Sequence, residues 1–563
     1  MSTALTSKQN DCRSCYKCIR SCPTKSISFL NGQASIIPEE CVLCGKCFLV
    51  CPQSCKIIRD DLAAAKELLS KNKEVIASLA PSFLAAFPGT SFSSMKEALL
   101  QLGFADVEET AVGATIVKKE YDALCDSGKY DVLISTCCHS INLLIEKHYP
   151  DAAKYLAPVL SPMLAHAKDI KERHPNAKVI FLGPCISKKN EIEMYPGLTD
   201  CVLTFLELER FFKEKGISPK QVAKPERLTK SKARLFPVEG GILETMEKDN
   251  PSMNYLEISG LGESIQAIKD ILAGKVHHAF IEMSSCSGSC VNGPAIPEAS
   301  RSLLAADLAI NMSAGEEDYE VRPYTNDELK KSMPGFAHQK KEHTEEEILG
   351  VLRSIGKTSP KDELNCSSCG YPTCRDKAIA VLDGKANLEM CLPFLMEKAK
   401  SFSNNIVEAS INPILVLNED FSIQLANPAM AELVGVSTPK DLLGKPVNSI
   451  LDPSPFSLAL GGTPIKEKKM YLPDYGKYLS ATIAYDSRFH ILIGVYRDVT
   501  LEEKKRQNDA LRAKETAAIT SDVIEKNMRA VQEIASLLGE STAETKLALT
   551  KLQATLSKED KDD

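Results

Sequence analysis

Tryptophan is absent from all 563 residues, and Phe and Tyr bring the aromatic share to only 6%. No run of about eighteen apolar residues occurs, so no membrane-spanning helix is expected. Lys and Arg, 68 in all, are outnumbered by 75 Asp and Glu. No basic stripe stands out either, which argues against nucleic-acid binding. Met1 to Gln9 lacks the apolar core of a secretory signal, so the expectation is a cytoplasmic chain with reduced thiols. Kinase, phosphatase and DNA-binding motifs are missing. The length implies several domains, and 44% apolar with 25% charged residues is ordinary for globular protein.

Cysteine, by contrast, is plentiful at 20 residues. The first set is Cys12-x2-Cys15-x2-Cys18-x3-Cys22-Pro23, repeated as Cys41-x2-Cys44-x2-Cys47-x3-Cys51-Pro52. This is the bacterial ferredoxin run, in which the fourth cysteine of each motif ligates the other cluster. Cys12, Cys15, Cys18 and Cys51 are expected to hold one 4Fe–4S cluster, and Cys41, Cys44, Cys47 and Cys22 a second. Zinc sites pair separated Cys-x2-Cys knuckles around one ion; three thiols at i, i+3 and i+6 followed by Cys-Pro, twice over, suit cubanes better.

The middle of the chain alternates helical patterns with short apolar runs. Four runs stand out: Glu74–Ala80, Asp131–Thr136, Lys178–Gly183 and His277–Met283. Such alternation predicts βαβ units with buried parallel strands. Directly after the runs come Pro81-Ser82, Cys137-Cys138, Pro184-Cys185 and Ser285-Cys286. Ligands bind outside the carboxyl ends of parallel strands, so these residues are expected at one edge. The polar stretch Ser313 to His343 reads as a connection rather than core.

Ser135-Thr136-Cys137-Cys138, Pro184-Cys185-x2-Lys188-Lys189-x-Glu191 and Glu282-x3-Cys286-x3-Cys290 resemble the catalytic domain of iron-only (FeFe) hydrogenases. The resemblance covers about residues 75–300. It implies that Cys138, Cys185, Cys286 and Cys290 hold a 4Fe–4S cubane. Cys290 would also bridge to a diiron subsite carrying CO, cyanide and a dithiolate amine. Cys137 would pass protons, while Pro81, Ser82 and Lys188 would hydrogen-bond the cyanides. A thiol can be tuned near neutrality, which suits such a relay. Packing beside Cys138 is the plainer role for Cys137, and solvation the plainer role for a lysine in a Lys-Lys pair.

The departures from that family are as informative. His139-Ser140-Ile141 stands where Pro-x-Trp is usual. Gly183 and Ser284 replace two methionines, and Ala157 replaces the serine of the outward proton relay. The relay glutamates fall near Glu120 to Leu124 without clear equivalents. Loss of positioned proton carriers costs about 10²–10⁴ in rate. Intact cluster ligands beside a broken relay suit slow, reversible turnover and a sensor.

Further on, Cys366-x2-Cys369-Gly370-x3-Cys374-x16-Cys391 resembles a small 4Fe–4S domain, although four-cysteine zinc is also compatible. Pro413–Leu417, Asn427-Pro428, Ile491–Tyr496 and Asp498-Val499-Thr500 resemble a PAS domain. It lacks cysteine, which excludes a flavin–cysteine adduct, and its one histidine is His490. The reading is of a protein–protein module without ligand. Ile524, Met528, Val531, Ala535, Leu538, Thr542, Thr545, Leu549, Leu552 and Leu556 repeat in steps of four and three, a coiled-coil seam; a helix packed on its own PAS domain is the alternative.

The expected fold class is therefore multidomain α/β. Residues 1–58 form a ferredoxin-like α+β module with two clusters. Residues 59–345 form an α/β hydrogenase domain with parallel sheets, 346–400 a small 4Fe–4S domain, 401–500 a PAS domain, and 501–563 a helix with a charged Lys558–Asp563 tail. Four 4Fe–4S clusters plus the diiron subsite are expected, leaving Cys55, Cys125, Cys137 and Cys201 unligated. Implied partners are dihydrogen and protons, a redox protein such as ferredoxin, a signalling kinase or phosphatase, maturation enzymes and a second copy of the chain. A metabolic hydrogenase and a non-catalytic iron–sulfur relative are the rival readings.

Overall fold

The computed structural model describes residues 4–8, 11–223, 226–333, 335 and 341–559. Met1–Thr3, Gln9, part of the Ser313–His343 stretch and the last four residues of the charged tail lie outside them. The chain divides into two compact units, Met1–Leu395 and Met396–Asp563. The architecture is mixed α/β with parallel sheets, as the sequence pattern predicts. Among the described residues no helix is long and apolar enough to cross a membrane.

In the first unit, β1 (Leu5–Ser7) pairs antiparallel with β4 (Lys56–Ile58), and β2 (Ile27–Leu30) with β3 (Gln33–Ile36). Two short helices, Lys17–Ser21 and Lys46–Leu49, carry the third cysteine of each motif, Cys18 and Cys47.

The next stretch builds two parallel sheets. One has the order β6 (Asp106–Glu109), β5 (Val75–Leu79), β8 (Lys178–Gly183), β9 (Cys201–Thr204). The other has the order β10 (Asn254–Ser259), β11 (Ala279–Ser284), β7 (Val132–Ile134). The four predicted runs correspond to β5, β7, β8 and β11, and within these strands every residue but Lys178 is buried. Helices on the faces of a parallel sheet make continuous apolar strands. The single shared edge is corrected: the four strand ends come from two sheets, and a cavity between those ends joins them.

The polar stretch is corrected too. Around the helix Asn326–Leu329 the chain packs as core: Leu329 is buried, its carbonyl accepts from Leu160 N at 2.8 Å, and Lys331 N donates to the Pro158 carbonyl at 3.0 Å. Backbone hydrogen bonding, rather than side-chain hydropathy, draws this segment in.

The cysteine-bearing segment after it forms the helices Glu345–Ser354 and Cys374–Leu382, each opened by a capping box, from Thr344 and Thr373. It packs on the N-terminal module. Phe29 N donates to the Lys385 carbonyl at 2.7 Å, and Lys25 Nζ to the Gly370 carbonyl at 2.9 Å.

The second unit holds an antiparallel sheet in the order β13 (Ile423–Ala426), β12 (Ile414–Asn418), β16 (Ile491–Asp498), β15 (Lys477–Asp486), β14 (Ile465–Leu472). Phe456 and Tyr496 fill its core. Asn427 caps the helix Pro428–Val434 by accepting from Met430 N, while its amide donates to the Val407, Ser410 and Asn412 carbonyls. His490 is 70% exposed and pairs with Glu419. A single helix, Thr500–Glu559, ends the described chain. Asp498 Oδ1 accepts from Thr500 N at 2.9 Å and Thr500 Oγ1 from Tyr478 N at 2.9 Å, which gives the Asp-x-Thr junction its role as the helix start.

Candidate functional site

The cavity at the strand ends has a volume of about 100 Å³. Its wall includes Pro81 and Ser82 after β5, Cys137 after β7, Cys185 and Lys188 after β8, and Cys290 beyond β11. Cys290, which lines this cavity, is exposed. The thiols of Cys138, Cys185, Cys286 and Cys290 lie near one another. Burial raises the pKa of Cys286 and Cys290, and the Cys185 and Cys138 sulfurs raise both further. Four thiols gathered this closely suit ligation to a metal cluster, which stabilises the thiolates.

Hydroxyl groups line this set. Ser187 Oγ stands 3.1 Å from Cys185 Sγ, and Ser285 Oγ 3.6 Å from Cys138 Sγ. Hydrogen bonds to cluster sulfurs shift reduction potential. Gly183 is glycine for a local reason: a Cβ there would stand 2.5 Å from the Phe181 ring, and Phe181 lines the cavity together with Met163.

Ser82 is buried and its hydroxyl has no hydrogen-bond partner among the described residues. A hydroxyl of this kind costs about 1–3 kcal/mol unless something else accepts from it. Lys188 Nζ donates to the Cys137 carbonyl at 3.1 Å and to Glu191 Oε2 at 2.5 Å, which leaves one of its three ammonium donors. Glu191 is shared: its Oε1 accepts from Lys331 Nζ at 2.9 Å, and both side chains are fully buried. Burial pushes the Glu191 carboxyl up, but Lys188 and Lys331 outweigh it and hold the group well below the usual range. Lys331 escaped the sequence reading because it lies in the polar stretch, 140 residues from its partner.

Cys137 stands apart from its neighbour Cys138. Burial pushes its thiol up to about 12 against smaller opposing effects of Tyr121 and Lys188. The Tyr121 hydroxyl is 3.3 Å from the Cys137 sulfur. His139, at the usual proline position, opens the helix His139–His148 and is buried, with Nε2 3.0 Å from Asn190 Oδ1. Ala157 is buried and donates its N–H to the Ile134 carbonyl. Glu282 accepts from Ile242 N and Leu243 N at 2.9 and 3.1 Å, yet burial pushes its carboxyl up to about 8.

The other cysteine sets also assemble. Cys22, Cys41, Cys44 and Cys47 line one small cavity, the crossed set the motif spacing predicts. Cys12, Cys15 and Cys18 lie close enough for their charges to interact. Cys51 adjoins Cys55, whose N–H it accepts at 3.3 Å; Cys55 is buried beside Cys51 and Cys12, a position its spacing did not signal. Cys366, Cys369, Cys374 and Cys391 line a third cavity with Lys357, Lys377 and Tyr371. The Tyr371 hydroxyl is buried without a partner among the described residues.

The sets adjoin in sequence of space. A Cβ on Gly45, between Cys44 and Cys47, would stand 2.5 Å from Pro294 and 2.9 Å from Ile186, which follows Cys185. On the other side, Lys25 and Tyr371 each feel the charges of both Cys22 and Cys369.

Residues 73–294 match the family model for the iron only hydrogenase large subunit, C-terminal domain. Residues 4–56 match a 4Fe-4S dicluster domain, 362–393 an Fe–S cluster model and 402–456 the PAS fold. Among solved structures, a variant FeFe-hydrogenase from Chlamydomonas reinhardtii is 18% identical, with 46% of this chain and 91% of that chain covered at a TM-score of 0.38. An FeFe-hydrogenase from a study of stepwise H-cluster assembly is 19% identical over 45% of this chain and 88% of that one, with a TM-score of 0.36. The PAS domain of a nitrogen regulation protein from Vibrio parahaemolyticus is 19% identical over 17% of this chain and 96% of that one, with a TM-score of 0.15.

Proposed function

We propose that this chain, an FeFe-hydrogenase-like protein by its hydrogenase, dicluster, Fe–S and PAS domains, senses dihydrogen by slow, reversible turnover and passes the result to a partner. The observation that carries this reading is the cavity itself, where the unpartnered Ser82 hydroxyl, the spare Lys188 donor, Cys137 and Cys290 meet. The residues present fit the implied group. Cys138, Cys185, Cys286 and Cys290 would hold the cubane, with Cys290 tying on the diiron unit; when bound, this assembly supplies the interconversion of dihydrogen with protons and electrons.

The remaining residues have jobs of their own. Ser82 and Lys188 are donors for anionic ligands in a site that favours charge-assisted hydrogen bonds. Glu191 and Lys331 hold Lys188 in place. Cys137, a thiol beside the cavity, is suited to hand on a proton. Gly45 at the Pro294 contact and Lys25 at the Gly370 contact bring the N-terminal and small-module sets into one electron route. A ferredoxin-type protein is the fitting redox partner at its outer end, and installing the diiron unit calls for dedicated maturation enzymes.

Ala157, Gly183 and Ser284 support slow turnover. The sensory half rests on the PAS domain and the helix after it. Ile524, Leu538 and Leu552 are 57%, 62% and 61% exposed on that helix, as a seam awaiting a second copy or a partner kinase or phosphatase would be. A metabolic hydrogenase is the competing function. Dihydrogen oxidation by matured protein, measured beside a turnover-type FeFe hydrogenase, should be lower by about a hundredfold or more; equal rates would favour the metabolic role.

A further inference from the structure

The cavity wall holds a second hydroxyl, Thr110, which unlike Ser82 is already bonded away from the cavity. Thr110 Oγ1 is 2.7 Å from Ser78 Oγ, and Ser78 Oγ is 2.8 Å from His166 Nδ1. On the far side of the ring, His166 Nε2 is 3.2 Å from Glu108 Oε2. Glu108 then meets Arg173, which donates from Nη1 at 2.9 Å and from Nη2 at 2.6 Å. Exposure rises along the chain: Ser78 and His166 are fully buried, the Glu108 side chain is 19% exposed and that of Arg173 44%.

The fold accounts for this alignment. Ser78 and Glu108 are register partners on the parallel strands β5 and β6, and Thr110 follows two residues after Glu108, on the same side. The helix Pro162–Arg173 brings His166 and Arg173, two turns apart, to that side. It comes close because Gly113 has no side chain: a Cβ there would stand 2.2 Å from the Pro162 carbonyl and 2.6 Å from His166 Cβ.

A buried network could exist only to satisfy its own members. Two features point further. Every member can accept a proton on one side and release one on the other, and the network runs unbroken from the cavity to a carboxylate in contact with water. The Tyr121 side of the cavity differs: Tyr121 leads to Thr136, whose hydroxyl donates to the Val159 carbonyl, a group that cannot pass a proton on.

We propose that Thr110, Ser78, His166 and Glu108 form a proton route between the cavity and solvent, replacing the outward relay interrupted at Ala157. The inference rests on the reading of the cavity as a dihydrogen site. With Nε2–H of His166 bonded to Glu108, the three donors Thr110 O–H, Ser78 O–H and His166 N–H all point outward. A proton accepted at Thr110 Oγ1 moves one proton along each bond and delivers one to Glu108, which releases it to water. One proton enters and one leaves; rotation of the two hydroxyls and the ring tautomer restores the start. No electron moves in this step.

The test uses matured full-length protein, with rates expressed per intensity of the CO and cyanide infrared bands. His166→Gln and Thr110→Val should lower dihydrogen oxidation about tenfold or more and change the solvent isotope effect, with the bands at parental positions. Thr110→Ser should restore the parental rate. In the parent, the dihydrogen-minus-argon infrared difference should contain a carboxylate signal that Glu108→Gln removes, because, against the effect of burial, His166 and Arg173 keep Glu108 ionised. Thr110→Val and Thr110→Ser turning over alike, with no carboxylate signal lost in Glu108→Gln, would overturn the route. A parent whose bands ignore dihydrogen would instead overturn the reading of the cavity.

Discussion

The Tyr121 hydroxyl lies 3.3 Å from the Cys137 sulfur and accepts the Thr136 N–H at 2.8 Å, all within buried surroundings. Burial raises the phenol's pKa well above its ordinary value and raises that of the thiol too. Their arrangement holds Cys137 at the cavity wall while its neighbour Cys138 turns to the other thiols.

The first prediction separates Cys137 from the bridging position, Cys290. Cys137→Ala should keep the full iron content and the infrared bands yet lose turnover by about 10² or more. Cys290→Ala should lose the CO and cyanide bands themselves, because the thiolate that would tie the diiron unit to the protein is gone. Iron analysis and infrared spectra of both variants check this; parental turnover in Cys137→Ala would return that thiol to a packing role.

The second concerns Lys331. Lys331→Met leaves Glu191, a fully buried carboxylate, with Lys188 alone. Breaking a buried ion pair costs roughly 3–5 kcal/mol. Denaturant unfolding should show that loss, and Lys331→Met with Glu191→Gln should recover most of it. Equal stability of the double and single variants would mean that the charge on Glu191 is not what the lysine balances.

Much of this was legible beforehand. The cysteine spacings gave the crossed set of Cys22 with Cys41, Cys44 and Cys47, and Lys178–Gly183 was bounded to the residue as a strand. Both signals are local: ligand spacing within a loop, or an uninterrupted apolar run in a buried parallel strand. The strand Asn254–Ser259 lies at a sheet edge and is half exposed, so its residues carry no such run. Lys331 and the His166 network were illegible because their partners are set by tertiary packing. Ser78 and His166 are 88 residues apart, and Glu108 and His166 are 58 apart.

The third prediction is a pH dependence. Burial raises the Glu282 carboxyl from 4.5 to about 8. A raised acid favours the folded state in its protonated form, so its contribution is complete below the unfolded value and is lost as pH rises through the folded one. The parent should lose up to roughly 4 kcal/mol between about pH 5 and about pH 8 from this group. Glu282→Gln, which can still accept from Ile242 N and Leu243 N, should remove that slope. Unfolding curves across this range decide it; identical slopes in parent and variant would contradict the assignment.

The fourth concerns the terminal helix. Leu538→Glu with Leu549→Glu places charge in the exposed apolar seam. The assembled state, measured by sedimentation, should fall to a monomer while the infrared bands stay as in the parent. A parent that is already monomeric and captures no partner through this helix would refute the seam.

Assembled protein should also contain about eighteen irons per chain, four cubanes and a diiron unit. One zinc in place of four irons would assign the Cys366 set to zinc.

The most direct measurement is infrared spectroscopy of the matured full-length chain under argon and then under dihydrogen. The account predicts CO and cyanide bands that shift on admitting dihydrogen and return on its removal. Matured protein with no such bands, or with bands that stay fixed under dihydrogen, would contradict it.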